Sequence, residues 1–278
     1  MKRYLILLIT LFVLMLPEAF SADTPGFDGT FIVEQNDNYP DFTVKDLTTQ
    51  SFDNYGLLDE LGRAGTAMAC IGRESFPQEA RGSIEEIIPA GWNNAWYDNV
   101  EDGFIYNRCH LIGYQLTGNN SVENIITGTH FMNVQGMLPY ENWVEMYVAN
   151  TGNHVLYRVT PLYDGHNLVA SAVQMEAYSV EDLGRGICFN VLVYNVQPGI
   201  AINYANGETW ADESVEVHGP ERTVEEPQVT EIEEAPEITY ILNTNSHKFH
   251  YQYCDSVADM KEKNKSEFYG TREEAIAQ

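Results

Sequence analysis

Two apolar runs and the turn between them set the fold class. Val155 to Tyr163 (VLYRVTPLY) and Leu168 to Val180 flank the tetrapeptide Asp164-Gly165-His166-Asn167. β-Branched and aromatic residues on both sides of a polar turn read as a β-hairpin. A second turn at 181–186 leads into Ile187 to Val196, and a further run, Ile200 to Tyr204, ends at an Asn206-Gly207 turn. Short connections of this kind join antiparallel neighbours. The expectation is an α+β chain with an antiparallel sheet core, a meander continued by Ile200 to Tyr204, and a domain that closes near Trp210.

Upstream the pattern is less regular. Phe31-Ile32-Val33 reads as a short strand and Thr66 to Ile71 as a buried one. Phe52, Tyr55, Leu58 and Leu61 recur at helical spacing, which predicts a helix over 51–62. Residues 80–91 end in a Pro-Ala-Gly turn. An aromatic-rich loop from Trp92 then leads into a strand at Phe104 to Tyr106.

The ends of the chain have other characters. Met1-Lys2-Arg3, an apolar run from Tyr4 to Leu16, and Ala19-Phe20-Ser21 form a secretory signal over 1–21, too short to span a bilayer. Secretion, with no membrane span in the mature chain, follows from that reading. The domain then covers 22–210. Residues 211–237 are dominated by Glu, Val, Pro and Thr, with Arg222 the only Lys or Arg, and read as an extended, self-repelling linker. Residues 238–278 are compact again and contain His250 and Cys254, half of a zinc ligand set. The four cysteines are too few for a disulfide framework. Cys70 with Cys109 is one pair that export permits, and buried thiols are the alternative.

The chain carries 41 Asp and Glu against 15 Lys and Arg, a net charge of -26. That excludes a general basic coat for nucleic acid but leaves room for a local cationic cleft, since the linker holds much of the acid.

The stretch YNRCHLIGYQLTGNNSVENIITGTHFMNVQGMLPYENWVEMYV, residues 106–148, concentrates the chemistry. Phosphodiester hydrolysis needs an activated water and charge neutralisation at the phosphate. His110 offers a base near neutrality, Asn133 an amide oxygen for a hard cation, Glu141 a carboxylate for metal-bound water, and Arg108 a fork for phosphate. Arg81 is a second candidate phosphate contact. His110 is expected at a strand end, with the next strand over Asn124 to Thr127. Asn133 then opens a helix in which Pro139 makes a bend and Trp143, Met146 and Tyr147 form the apolar side. Each residue also has a plainer reading: a structural histidine, a helix cap at Asn133, a solvated carboxylate at Glu141, an ion pair at Arg108. His130 has no assigned role.

YNRCHLIGYQLTG followed by NIITGTHFMNVQGMLPYENWV resembles the secreted bacterial branch of the DNA/RNA non-specific endonucleases, which includes the DNA-entry nucleases. The resemblance covers roughly residues 45–210. It implies a ββα-metal (His-Me finger) core that cuts DNA, and often RNA, with Mg²⁺ or Mn²⁺ in its place. It gives His110 as base, Arg108 as motif arginine, Asn133 as metal ligand, Glu141 as supporting carboxylate and Asn124 as a further asparagine at the substrate side. The family's Asp-Arg-Gly-His is Asn107-Arg108-Cys109-His110 here, so an acid and a glycine are replaced. The last segment resembles the Ada-type zinc-binding module, without its Cys-x-x-Cys. Three functions compete: a secreted sugar-non-specific endonuclease, an impaired nuclease fold retained as a nucleic-acid-binding or interaction protein, and a toxin nuclease with an immunity or inhibitor partner.

Overall fold

The apolar runs pair as antiparallel strands, in a computed structural model that describes residues 26–219, 238–245, 248–251, 257 and 260–270. In chain order the elements are β1 (Ile32–Glu34), β2 (Phe52–Tyr55), β3 (Ala67–Ile71), β4 (Tyr106–His110), a one-turn helix α1 (Tyr114–Thr117), β5 (Ile125–Thr129), a π-helical segment (Met132–Met137), α2 (Leu138–Thr151), β6 (Val155–Leu162), β7 (Ala172–Ser179), β8 (Cys188–Tyr194), β9 (Ile200–Asn203) and β10 (Glu208–Ala211). Beyond these, β11 (Ile238–Asn243), β12 (Lys248–Tyr251) and β13 (Lys265–Gly270) form a three-stranded sheet of their own, in the order β12-β11-β13. The signal, residues 220–237 and Cys254 lie outside the described residues. His250 lies in β12.

The main sheet has six strands in the order β1-β8-β7-β6-β3-β2, all antiparallel. β6 to β8 are the expected meander, in a register that sets Val159 against Met175 and Met175 against Val191. β9 does not continue it. It pairs with β10 as a separate hairpin. The chain also stays attached beyond Trp210: Phe31 N–H donates to His218 O at 3.1 Å, and His218 N–H to Gly29 O. Ordered structure therefore runs eight residues into the stretch expected as linker.

Residues 51–62 are not helical. Phe52 to Tyr55 form an edge strand, with Phe52 opposite Cys70 and Tyr55 opposite Ala67. Aromatic residues favour strands, Asp and Asn are poor helix formers, and Gly56 follows at once. A free β3 edge wins over a weak apolar period.

β4 and β5 pair separately, with Asn107 opposite Gly128 and His110 opposite Ile125. The helix after β5 completes a ββα unit. Its residues Met132–Met137 are π-helical, and Leu138 N–H reaches back five residues to Asn133 O. Pro139 has no N–H to give and sits at the start of α2, so the irregular turn falls before it rather than as a bend within α2. α2 buries Glu141, Val144, Glu145 and Val148, the i, i+3, i+4, i+7 stripe of one face. Each buried valine adds roughly 1.5–3 kcal/mol. Trp143 and Met146, expected on that side, are 40% and 38% exposed, with Trp143 resting on the ring of Phe189.

Candidate active site

His110 ends β4 and is 7% exposed. Its Nε2 lies 2.9 Å from Asn120 Oδ1, and its Nδ1 lies 3.3 Å from Arg81 Nη2. An amide oxygen only accepts and a guanidinium only donates. Both neighbours therefore select one tautomer, with the proton on Nε2 and a lone pair on Nδ1. Asn120 was not singled out in the sequence, although it sits ten residues past His110 in the same motif stretch.

Glu141 lies on the buried face of α2, also 7% exposed. Burial pushes its carboxyl up to about 7 from an ordinary 4.5, against the pull of Gln115, the Gly113 N–H and the Arg81 charge. Gln115 Nε2 donates to Glu141 Oε2 at 3.3 Å. Gly113 lies close by: a methyl group there would stand 2.6 Å from Gln115 Oε1 and 2.8 Å from Glu141 Oε2, so both side-chain ends would have to shift. Arg81 thus bears on both His110 and Glu141, and the three converge.

Asn133, in the π-helical segment, meets β4. Its Nδ2 donates to Asn107 Oδ1 at 3.4 Å, and Cys109 Sγ lies 3.0 Å from its Oδ1. Cys109 is fully buried, in space left by Gly128 on β5, where a methyl group would come 2.6 Å from Cys109 Cβ. Cys70, Cys109 and Cys188 are all free, so the Cys70–Cys109 bond is absent.

Two expected site residues have other work. Arg108 donates from Nε to Ile87 O at 2.6 Å and from Nη2 to Glu85 O at 2.5 Å, and its guanidinium lies 4.5 Å over the Trp92 ring. The fork expected to grip phosphate instead anchors the loop before β4. Asn124 is fully buried: Ile112 N–H donates to its Oδ1, and its Nδ2 donates to Ile112 O and Asn119 O. It staples the β4–β5 connection and presents nothing to a substrate. His130, 8% exposed, has neither ring nitrogen hydrogen-bonded, with Asp102 and Glu101 carboxylates at 3.6 and 3.9 Å.

A family model for DNA/RNA non-specific endonucleases matches residues 43–181, which take in the whole ββα unit. The chain belongs to this family. Its architecture is accordingly the ββα-metal one, and the protein is an endonuclease, a hydrolase of nucleic-acid phosphodiesters. Among solved structures, NucA from Streptococcus agalactiae with magnesium ion bound is 28% identical, at a TM-score of 0.59 over 65% of this chain and 87% of that one. The same nuclease with no metal bound gives a TM-score of 0.58. The Sda1 nuclease with bound zinc ion, 22% identical, shares the fold at a TM-score of 0.55 over 66% of this chain and 98% of that one. Within this endonuclease family, the departures at Asn107 and Cys109 both lie beside Asn133.

Proposed function

We propose that this endonuclease is secreted and cleaves DNA and RNA with a single Mg²⁺, His110 acting as general base through Nδ1. The observation that carries the reading is the two-sided hold on His110: Asn120 Oδ1 accepts from Nε2–H, which places the lone pair on Nδ1, toward Arg81. An imidazole in this tautomer can take a proton from water at Nδ1 near neutral pH once Arg81 turns from it to the phosphate. Arg81, exposed yet in contact with His110, is better placed than Arg108 to meet a phosphate oxygen, because the Arg108 guanidinium is already bound to two carbonyls.

The donor set suits a hard divalent cation. Asn133 supplies an amide oxygen with a second lone pair, and Glu141 is a buried carboxylate whose raised affinity for a proton reflects charge that burial leaves uncompensated. Among the described residues no three of His, Cys, Asp and Glu converge as a metal cage. A cation here would take one protein amide oxygen, water, and the substrate phosphate, with Glu141 ordering the water. Bound there it would neutralise the phosphate charge and stabilise the leaving oxygen. NucA with its magnesium ion and Sda1 with its zinc ion support a divalent metal, and oxygen donors favour Mg²⁺, with Mn²⁺ as a substitute.

Secretion rests on the basic and apolar N-terminal run. No helix of the described residues is long and apolar enough to cross a membrane. The test is plasmid and RNA cleavage by purified protein with Mg²⁺, with and without chelator, beside His110→Ala. The expected result is metal-dependent cleavage that falls by roughly 10²–10⁴-fold in a His110→Ala variant with unchanged melting. Wild-type rates from folded His110→Ala would end the base assignment. No cleavage under any metal or pH would favour the nucleic-acid-binding reading.

A further inference from the structure

The two positions where this chain leaves the family motif both end on one side chain. Asn107 Oδ1 accepts from Asn133 Nδ2, and Cys109 Sγ lies nearest Asn133 Oδ1, closer than its other neighbours Met137 Sδ at 3.5 Å and His110 O at 3.7 Å. An amide is directional: its nitrogen only donates and its oxygen only accepts. With Asn107 presenting its oxygen and Cys109 its proton, one of the two orientations of the Asn133 amide makes both hydrogen bonds. Flipping the Asn133 amide alone would set its oxygen against the Asn107 oxygen and leave its nitrogen facing a sulfur that accepts only weakly.

We propose that Asn107 and Cys109 are positioning residues that lock the Asn133 amide in one orientation, with one lone pair of Oδ1 held by the thiol and the other left for the divalent cation. A glycine at position 109 would have no side-chain donor for this. Gly128 supplies the space that lets a side chain stand where the motif has none. The inference rests on the reading of Asn133 as the metal ligand.

Calorimetric titration of the full chain with Mg²⁺ tests it without relying on turnover. Cys109→Ala, which keeps Cβ and removes the donor, should bind Mg²⁺ about three- to tenfold more weakly, the weight of one hydrogen bond. Cys109→Ser, which restores a donor, should stay within about twofold of wild type on the same reasoning. Asn107→Ala, at a half-buried position less exposed to misfolding, should weaken binding in the same direction. Asn133→Ala separates the two layers of the reading. If Asn133→Ala binds Mg²⁺ as wild type does, the ligand assignment itself fails. If it loses binding while Cys109→Ala and Asn107→Ala do not, the lock alone is overturned. Equal losses in Cys109→Ser and Cys109→Ala would also overturn it, since volume rather than the donor would then matter.

Discussion

Two buried glutamates in one domain have opposite surroundings. Glu176 on β7 is 2% exposed and held by Arg158 from β6 through contacts of 2.6 and 2.8 Å, with the Asp41 N–H donating at 2.8 Å. Glu141 on α2 is nearly as buried, yet its neighbours are an amide, one backbone N–H and the field of Arg81, and burial still raises it to about 7. In the six-stranded sheet the charge is closed within the protein. In the ββα unit it is left open. An uncompensated buried carboxylate costs free energy until a proton or a cation meets it, and that cost separates the scaffold from the unit proposed to hold the active site.

The largest effect should come from breaking the closed pair. Glu176→Ala leaves Arg158 facing a low-dielectric sheet without its partner and frees the Asp41 N–H. Loss of one member of such a pair costs roughly 3–5 kcal/mol. Urea unfolding should show the loss, while the rate per folded molecule stays near wild type. A small stability loss would mean that Arg158, with 24% of its side chain exposed, finds water enough, and that the sheet's charge is less closed than its geometry implies.

The two regions also differ in how much of them the sequence revealed. The meander was legible because strand runs and turn residues repeat at short range, and β6, β7 and β8 follow them closely. His110 at its strand end and Asn133 in the following helix were legible from the motif stretch. What escaped depends on contacts distant in sequence. Arg108 reads as a phosphate fork until Ile87 O and Glu85 O take it up. The helical period at 51–62 gives way to an open β3 edge that no local pattern announces. Trp143 and Met146 look like the apolar side of α2, but the buried face runs through Glu141, Val144, Glu145 and Val148 and leaves them outward. Asn120 and Gln115 lay in plain view, and their tasks became visible only when β4 and α2 came together.

The open carboxylate gives the next test, and its sign follows from its raised titration. The unfolded chain releases the Glu141 proton near 4.5, whereas the native protein holds it to about 7. Between those values the native state binds more protons, so stability falls as pH rises and stays reduced above the window. Glu141→Gln removes that slope. Above pH 7, without metal, the variant should be more stable than wild type by about 3 kcal/mol, since each tenfold gain in proton affinity on folding is worth about 1.4 kcal/mol. Below 4.5 the two should agree. Saturating Mg²⁺ should flatten the wild-type slope, and cleavage should fall in the variant. A stability difference independent of pH would mean that folding does not shift the Glu141 titration, and that the carboxylate is not left open.

The smallest expected effect concerns packing within the ββα unit and bears on why the motif could change. Gly128 stands opposite Asn107, and its missing side chain is where Cys109 fits. Gly128→Ala would press a methyl group to 2.6 Å from Cys109 Cβ and 2.7 Å from Met132 Cε. Overpacking of this kind costs about 1–2 kcal/mol. Cys109→Gly, which reinstates the usual motif residue, removes both of its side-chain atoms and so the closest contact. The double variant should therefore regain part of what Gly128→Ala loses, a coupling of about 0.5–1 kcal/mol, as expected for residues in contact. Additive losses would instead place the strain on Met132 alone. The glycine would then serve the helix rather than the cysteine, and Cys109 would have entered the motif without a compensating space.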